Sequence, residues 1–284
     1  MLLALDARSR HVSIGLFEGE AGGPAGKGRW LLRRRLGAVS GRSADEYALL
    51  LRGFCGEAGL GFGSESGRAR SVDSAWMSSV APALGRELGR AVSSAFGLTC
   101  SLVAPGARTG VRIRTDIPSE VGSDLVCAAA AAKDLVGGPC VIVDFDAAIA
   151  FSAVGRSGDF LGAAIAPGIG TAAQALREAA ALLPEVPMEG PCPAIGKSTA
   201  QSVRAGIGIG YAGLVDRIVR LQRGELAAMG EADSPDSVAV LGTGGEEGRE
   251  VLASLGLGRF VPDLVLEGLA IIAARATPPP RTTA

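Results

Sequence analysis

The sequence predicts an α/β protein in which one unit occurs twice. Three observations carry this reading. An apolar run ends in a carboxylate at Asp6 and again at Asp144. A hairpin-like pair of alternating segments follows each carboxylate. Helical and strand-like segments then alternate in both halves, as in a mixed sheet covered by helices. A duplicated domain with a cleft between the halves is the economical architecture, and 284 residues suffice for one large domain or two of ordinary size.

The elements follow in order. Residues 2–5 are an apolar strand ending at Asp6, His11 to Phe17 alternates as a second strand, and Arg29 to Leu36 reads as a third. A Gly-rich turn spans 19–28. Residues 43–58 read as a helix, with Ser43 as N-cap and Asp45 and Glu46 in the first turn. A strand over 72–79 and a helix over 83–96 close the first round. The second round opens with a helix over 121–135, whose face CAAAAA is made of small residues. Strands are expected over 140–145, 149–154 and 160–166, and helices over 171–183 and 198–221. A strand over 237–241 leads into the loop Gly242-Thr243-Gly244-Gly245 and a helix over 247–255. The tail TPPPRTTA is expected to fray.

Composition narrows the function classes. The 28 basic and 29 acidic residues nearly cancel, to a net charge of -1, which argues against a general nucleic-acid binder or a membrane-surface protein. Cys55, Cys100, Cys127, Cys140 and Cys192 are widely spaced and form no CxxC pair. Buried reduced thiols are expected rather than a disulfide framework or zinc site. The start MLLALDARSR has no basic region followed by a long apolar stretch, so no signal peptide is expected. No apolar run reaches the roughly 18–20 residues of a membrane span. A soluble cytoplasmic protein is expected.

Six segments together resemble the type III pantothenate kinase family, in the actin-like, acetate-and-sugar-kinase superfamily. They are RSADEYALLL (42–51), VGSD (121–124), GAAIAPGIGTAAQAL (162–176), AIGKSTAQSVRAGIGIGYAGLVDRIV (194–219), GTGG (242–245) and PDLVLEGL (262–269). The resemblance implies two ribonuclease-H-like domains, each a βββαβα unit, divided here as 1–118 and 119–284. It implies a dimer, and transfer of the ATP γ-phosphate to pantothenate with Mg²⁺ and a monovalent cation, K⁺ or NH₄⁺. Catalysis of this type is mostly positioning and charge neutralisation, so each part can be checked in the sequence.

The first phosphate loop of the family reads Asp-x-Gly-Asn-Thr-Asn. Here it is Asp6-Ala7-Arg8-Ser9-Arg10-His11. The family's glycine would let backbone approach phosphate closely, and Arg8 and Arg10 put two long side chains there instead. The second loop reads Asp-x-Gly-Thr-Ala-Thr-Thr. Here it is Asp144-Phe145-Asp146-Ala147-Ala148-Ile149-Ala150. Asp144, at the position of the monovalent-cation ligand, is kept. Asp146 replaces the glycine and sets an anion against an anion, and Ala147 replaces the threonine that contacts ATP.

On the substrate side, Thr115 stands where the family has a tyrosine. Gly122-Ser123-Asp124-Leu125 stands for Gly-Ala-Asp-Arg. Asp124 matches the general base. Leu125 removes the forked cation expected to hold the substrate carboxylate. Thr199 matches a substrate-contacting threonine, and Gly244 and Gly245 match the nucleoside-side loop. Plainer roles compete with these: strand-end residues for Asp6 and Asp144, a helix-dipole carboxylate for Asp124, close helix packing for the alanines, and a charged edge strand for Arg33-Arg34-Arg35.

The framework segments are kept while both loops are altered. The reading taken forward is a catalytically impaired subunit or regulator, as a homodimer or paired with an active type III pantothenate kinase. The alternatives are an active kinase with remodelled loops and a binding protein unrelated to pantothenate, such as a transcription accessory factor. No nucleic-acid or membrane partner is expected.

Overall fold

Two strands are buried along their whole length, Leu2–Ala7 (β1) and Cys140–Phe145 (β6), and each is the middle strand of a five-stranded sheet. Strands covered on both faces read as continuous apolar runs, which is why these two segments stand out in the sequence. The computed structural model describes residues 1–19, 28–60, 71–180, 182–187, 190 and 193–276. The expected Gly-rich turn lies mostly outside these residues, and Cys192 and the tail wholly so.

In the first sheet β1 pairs antiparallel with His11–Gly19 (β2), which pairs with Gly28–Gly37 (β3). On its other side β1 runs parallel to Ser74–Ser79 (β4), followed by Cys100–Leu102 (β5). The helices Ala44–Glu57 (α1) and Pro82–Phe96 (α2) supply Tyr47, Leu51, Leu88 and Val92 to the core beneath β1 and β2. The N-terminus of α1 is a capping box: Ser43 Oγ accepts from the Glu46 backbone N–H, and Glu46 accepts from the Ser43 N–H.

The second sheet repeats the pattern. Between the two sheets in sequence lie a 3₁₀ turn, Pro118–Glu120, and Ser123–Val136 (α3). Then β6 pairs antiparallel with Ala148–Val154 (β7), and β7 with Phe160–Pro167 (β8). Ile169–Ala179 (α4) and Thr199–Ala228 (α5) follow, and β6 runs parallel to Ala239–Gly244 (β9). Glu246–Leu255 (α6), Arg259–Phe260 (β10) and Leu264–Ala276 (α7) complete the chain.

The duplicated α/β architecture expected from sequence is the one observed, with corrections at several ends. Helix α4 stops at Ala179 rather than 183, and α5 continues to Ala228 rather than 221. The segment QRGELAA past the expected end is mostly strong helix formers. Gly242, Thr243 and Gly244 are not loop but the last three residues of β9, in register with Val143, Asp144 and Phe145. Strands β5 and β10 were not expected, and α7 was recognised only as a motif. Helix α7 is apolar all round and nearly all buried, so it has no amphipathic signature.

The chain forms two compact units, and they interleave where a division at 118/119 would be a single cut. One unit comprises 1–112, 116–131 and the C-terminal 264–284; the other comprises 113–115 and 132–263. Within the first unit α7 is anchored twice. Gly268 meets α3 so closely that a Cβ there would overlap the Cys127 carbonyl. Glu267 accepts from Trp30 Nε1 at 3.0 Å and pairs with Arg33, whose guanidinium stacks on Trp30 at 4.7 Å. Arg33-Arg34-Arg35 does lie on an edge strand, but Arg33 and Arg34 are engaged, Arg34 with Glu57. The alanines 128–132 are buried inside the chain.

Gly268→Ala is therefore expected to destabilise the protein by about 1–3 kcal/mol through overpacking against backbone, read as a lower urea midpoint with an unchanged slope.

Candidate functional site

The β1–β2 turn builds the first loop. The Arg8 N–H donates to the His11 carbonyl at 2.9 Å and closes it. Asp6 and Arg8 are both buried, 3% and 5% exposed, and Arg8 Nε donates to Asp6 Oδ2 at 2.7 Å. Ser9 and Arg10 face outward and are exposed. The two arginines expected in the loop thus separate: one is folded onto the strand-end carboxylate, the other is on the surface.

Asp124 reaches the same neighbourhood through β4. Asp6 is in register with Ser78. The Ser78 and Ser123 hydroxyls are 3.0 Å apart, and the Ser79 N–H donates to Ser123 Oγ at 3.0 Å. These bonds fasten the start of α3 to the end of β4. Asp124 Oδ1 accepts from the Leu125 N–H at 2.9 Å, and its carboxylate lies over Gly122, where a Cβ would strike it. Leu125 is half-buried. Cys127, one turn on, reports the cluster: burial first, then the Asp6 and Asp124 carboxylates, push its thiol well above its ordinary range. Asp6, Arg8, Ser123 and Asp124 are thus brought together in one unit. Ser78 and Ser79 were missed from sequence; the available signal was a hydroxyl pair ending a strand parallel to the Asp6 strand.

The second loop belongs to the other unit. Asp144 is 3% exposed at the end of β6. The Asp146-Ala147 turn after it is clasped by the PGIG segment: the Ala147 carbonyl accepts from the Gly168 N–H at 2.9 Å and from Thr171 Oγ1 at 2.7 Å. A Cβ on Gly168 would overlap the Asp146 carbonyl. Tyr211 of α5 donates to the Pro167 carbonyl at 2.8 Å and braces the same segment. From β9, Gly244 has φ 99° and lies so near Phe145 that a Cβ would overlap its carbonyl. The Gly245 N–H donates to that carbonyl at 2.7 Å. Thr243 Oγ1 donates to the Pro262 carbonyl at 3.1 Å. Sequence reading did not single out Thr171 or Thr243.

Thr115 also lies in this unit, beside the Ile113–Phe160 bridge, and its hydroxyl oxygen is buried without a hydrogen-bond partner. Thr199 is exposed as the first residue of α5. Ser198 caps that helix, accepting from the Gln201 N–H at 3.3 Å, and Gly196 lets the preceding turn press against Ser202.

Among the described residues no group of three His, Cys, Asp or Glu side chains is placed to hold a metal. At the first loop a divalent cation on Asp6 would meet the Arg8 guanidinium, so the residues present do not fit one there. Asp144 offers a buried carboxylate, a hard oxygen donor suited to a monovalent cation. No helix of the described residues is long and apolar enough to cross a membrane.

Comparison with known proteins decides the family. The family model for type III pantothenate kinase matches residues 2–221. The chain belongs to the type III pantothenate kinase family. The type III pantothenate kinase of Streptomyces coelicolor is 37% identical over 97% of this chain and 98% of its own. That of Dehalococcoides mccartyi is 36% identical over 95% and 94%, and that of Moorella thermoacetica 35% over 98% and 100%. Among solved structures, a Campylobacter jejuni protein described as a Baf family transcriptional activator matches with TM-score 0.55 and 14% identity, over 96% of this chain and 98% of that one. A Sinorhizobium meliloti protein described as a 2-dehydro-3-deoxygalactonokinase matches at 0.52 and 14%, over 97% and 96%. At that identity the likeness is one of fold. The family is one of ATP-dependent kinases in coenzyme A biosynthesis, and it implies ATP and a divalent metal.

Two outcomes follow from the buried groups. Arg8→Ala strands the Asp6 carboxylate and is expected to destabilise the protein by about 3–5 kcal/mol. The double change Asp6→Asn with Arg8→Met removes both charges and should recover most of the loss, measured by urea unfolding. The thiols set an alkaline limit. Burial pushes Cys55 up to about 11 and Cys100 and Cys140 up to about 12, from an ordinary 9.0. The folded chain holds these protons longer than the unfolded one. Their contribution is full below pH 9.0 and lost as the pH rises toward 11–12. Folded protein at about pH 10 should show little thiolate absorbance, and its urea midpoint should lie below that at about pH 8.

Proposed function

We propose that this chain is a catalytically impaired member of the type III pantothenate kinase family that serves as a subunit or regulator. One observation carries the reading: the charge at the end of β1 is neutralised internally, by Arg8 on Asp6 at 2.7 Å, both buried. A phosphate approaching this loop meets a spent cation and no glycine backbone. At the second loop Asp146 adds negative charge and Ala147 offers no hydroxyl. On the substrate side Leu125 offers no charged donor. Asp124 remains as a carboxylate that could take a hydroxyl proton, but Leu125 beside it offers no cation to a substrate carboxylate.

A subunit role draws support from the second unit. Strand β8 is the edge of its sheet, with Ile165 72% exposed, and α5 leaves Ile209 and Leu221 each 48% exposed. Apolar side chains of β8 and α5, Leu161, Ile218 and Leu221 among them, line a shared groove of about 360 Å³. A partner of the same fold, either a second copy or an active paralogue, would cover such a surface. Exposed Thr199, at the head of α5, would then be available to that partner.

The test is calorimetry with Mg-ATP in the presence of K⁺, together with a pantothenate phosphorylation assay. No heat and turnover at least about 10³-fold below an active family member are expected. The combined change Arg8→Gly, Asp146→Gly, Ala147→Thr and Leu125→Arg should raise nucleotide binding, with folding checked by circular dichroism. Robust turnover by the unmodified chain would sink the reading and establish the active-kinase alternative.

A further inference from the structure

The first unit holds a cavity of about 630 Å³ that the proposed function leaves without a role. Its walls are the turn between β3 and α1, the first turns of α2, and Arg8. Arg42 and Arg86 line it from opposite elements, with Ser40 and Ser43 beside Arg42. Neither Arg42 nor Arg86 makes a side-chain hydrogen bond or ion pair among the described residues. The Arg42 guanidinium is held over the Tyr47 ring at 5.3 Å. Glu87 also lines the cavity, but its carboxylate accepts from Arg90 at 3.0 Å. Helix α2 begins in the same wall with Ala81 at its N-cap and no side-chain cap bond. The walls are therefore cationic: Arg86 is uncommitted, and Arg42 makes no ion pair, though the Glu46 carboxylate lies within its electrostatic reach.

Two such forks in one cavity call for a ligand with more than one negative charge and more than two acceptor oxygens. A carboxylate has one charge and two oxygens. A phosphate monoester has up to two charges and three terminal oxygens, enough for both forks. The volume lies within the roughly 300–1,000 Å³ of small-molecule sites. The near-zero net charge of the chain argues against a long polyanion. We propose that this cavity binds a small phosphorylated molecule through Arg42 and Arg86. Arg8 lines the cavity as well, but its guanidinium is held on Asp6, so Arg42 and Arg86 carry the anion. Such binding does not depend on whether the chain turns over ATP.

Pyrophosphate and inorganic phosphate are the probes, in calorimetry and thermal unfolding, against chloride at matched ionic strength. Pyrophosphate is expected to bind and to raise the melting temperature. Arg42→Gln and Arg86→Gln should each weaken binding about tenfold or more, the loss expected for a charged hydrogen-bond donor, and the double change should abolish it. Arg86 is exposed, so Arg86→Gln should fold normally; Arg42→Lys, which keeps the charge, should bind better than Arg42→Gln. No binding, or equal affinity in the Gln variants, would overturn the proposal. So would binding kept in the Arg42→Gln, Arg86→Gln double variant, which would place the anion elsewhere.

Discussion

A carboxylate at the end of a fully buried strand must find a positive charge or give up its own, and the path of the β1–β2 turn follows from how that demand is met at Asp6. Removing a carboxylate from water is expensive unless it is paired and hydrogen-bonded. In the first half the chain meets the demand with Arg8, two residues on and equally buried. The pair settles the path of the β1–β2 turn. It draws one arginine inward and leaves Ser9 and Arg10 outside. A glycine at position 8 would take the Arg8 counter-charge away from the same carboxylate. The change from glycine to arginine is therefore not a simple loss of a phosphate-binding backbone. It replaces an external counter-charge with a built-in one.

The scaffold around the loops obeys a different constraint, the close approach of backbone to backbone. Gly168 against Asp146, Gly244 against Phe145, Gly196 against Ser202 and Gly268 against Cys127 all leave no room for a Cβ. Three of these lie in the family segments PGIG, GTGG and IGKST, and the fourth in PDLVLEGL. Substitution at such positions moves main chain, and with it the sheets. Substitution at Arg8, Ala147 or Leu125 alters a side chain at the end of an element. The loops can diverge while the framework stays fixed because the two are held by different forces.

The same distinction explains what was legible in the sequence. Strands β1 and β6 announced themselves as apolar runs ending in Asp, and α1 through its Ser43 N-cap and acidic first turn. The extent of β9 was hidden, because glycine and threonine read as loop when seen alone and become strand only when paired with Val143–Phe145. Helix α7 was hidden for the opposite reason, being too apolar to show a period. The candidate site was half legible. The Asp and Gly positions could be named from motifs, but not that Ser78 and Ser123 fasten Asp124 beside Asp6, since residues far apart in sequence meet only through the parallel β1–β4 register. Nor could the opposite fates of Arg8 and Arg10, two residues apart, be read from their identity, because they depend on which side of the turn faces the strand-end carboxylate.

The Asp6–Arg8 pair also defines what nucleotide binding at this loop would require. If Arg8 left Asp6 to hold a phosphate, it would strand a buried charge, a loss of about 3–5 kcal/mol, or roughly two to three and a half decades of affinity. Nucleotide alone gains little by that exchange, since one ion pair is broken to make another. A divalent cation on Asp6 is opposed by the guanidinium, and a phosphate there by the carboxylate. The pair therefore works as an internal competitor to each ligand taken singly, and the chain favours its own closed loop over a half-filled site.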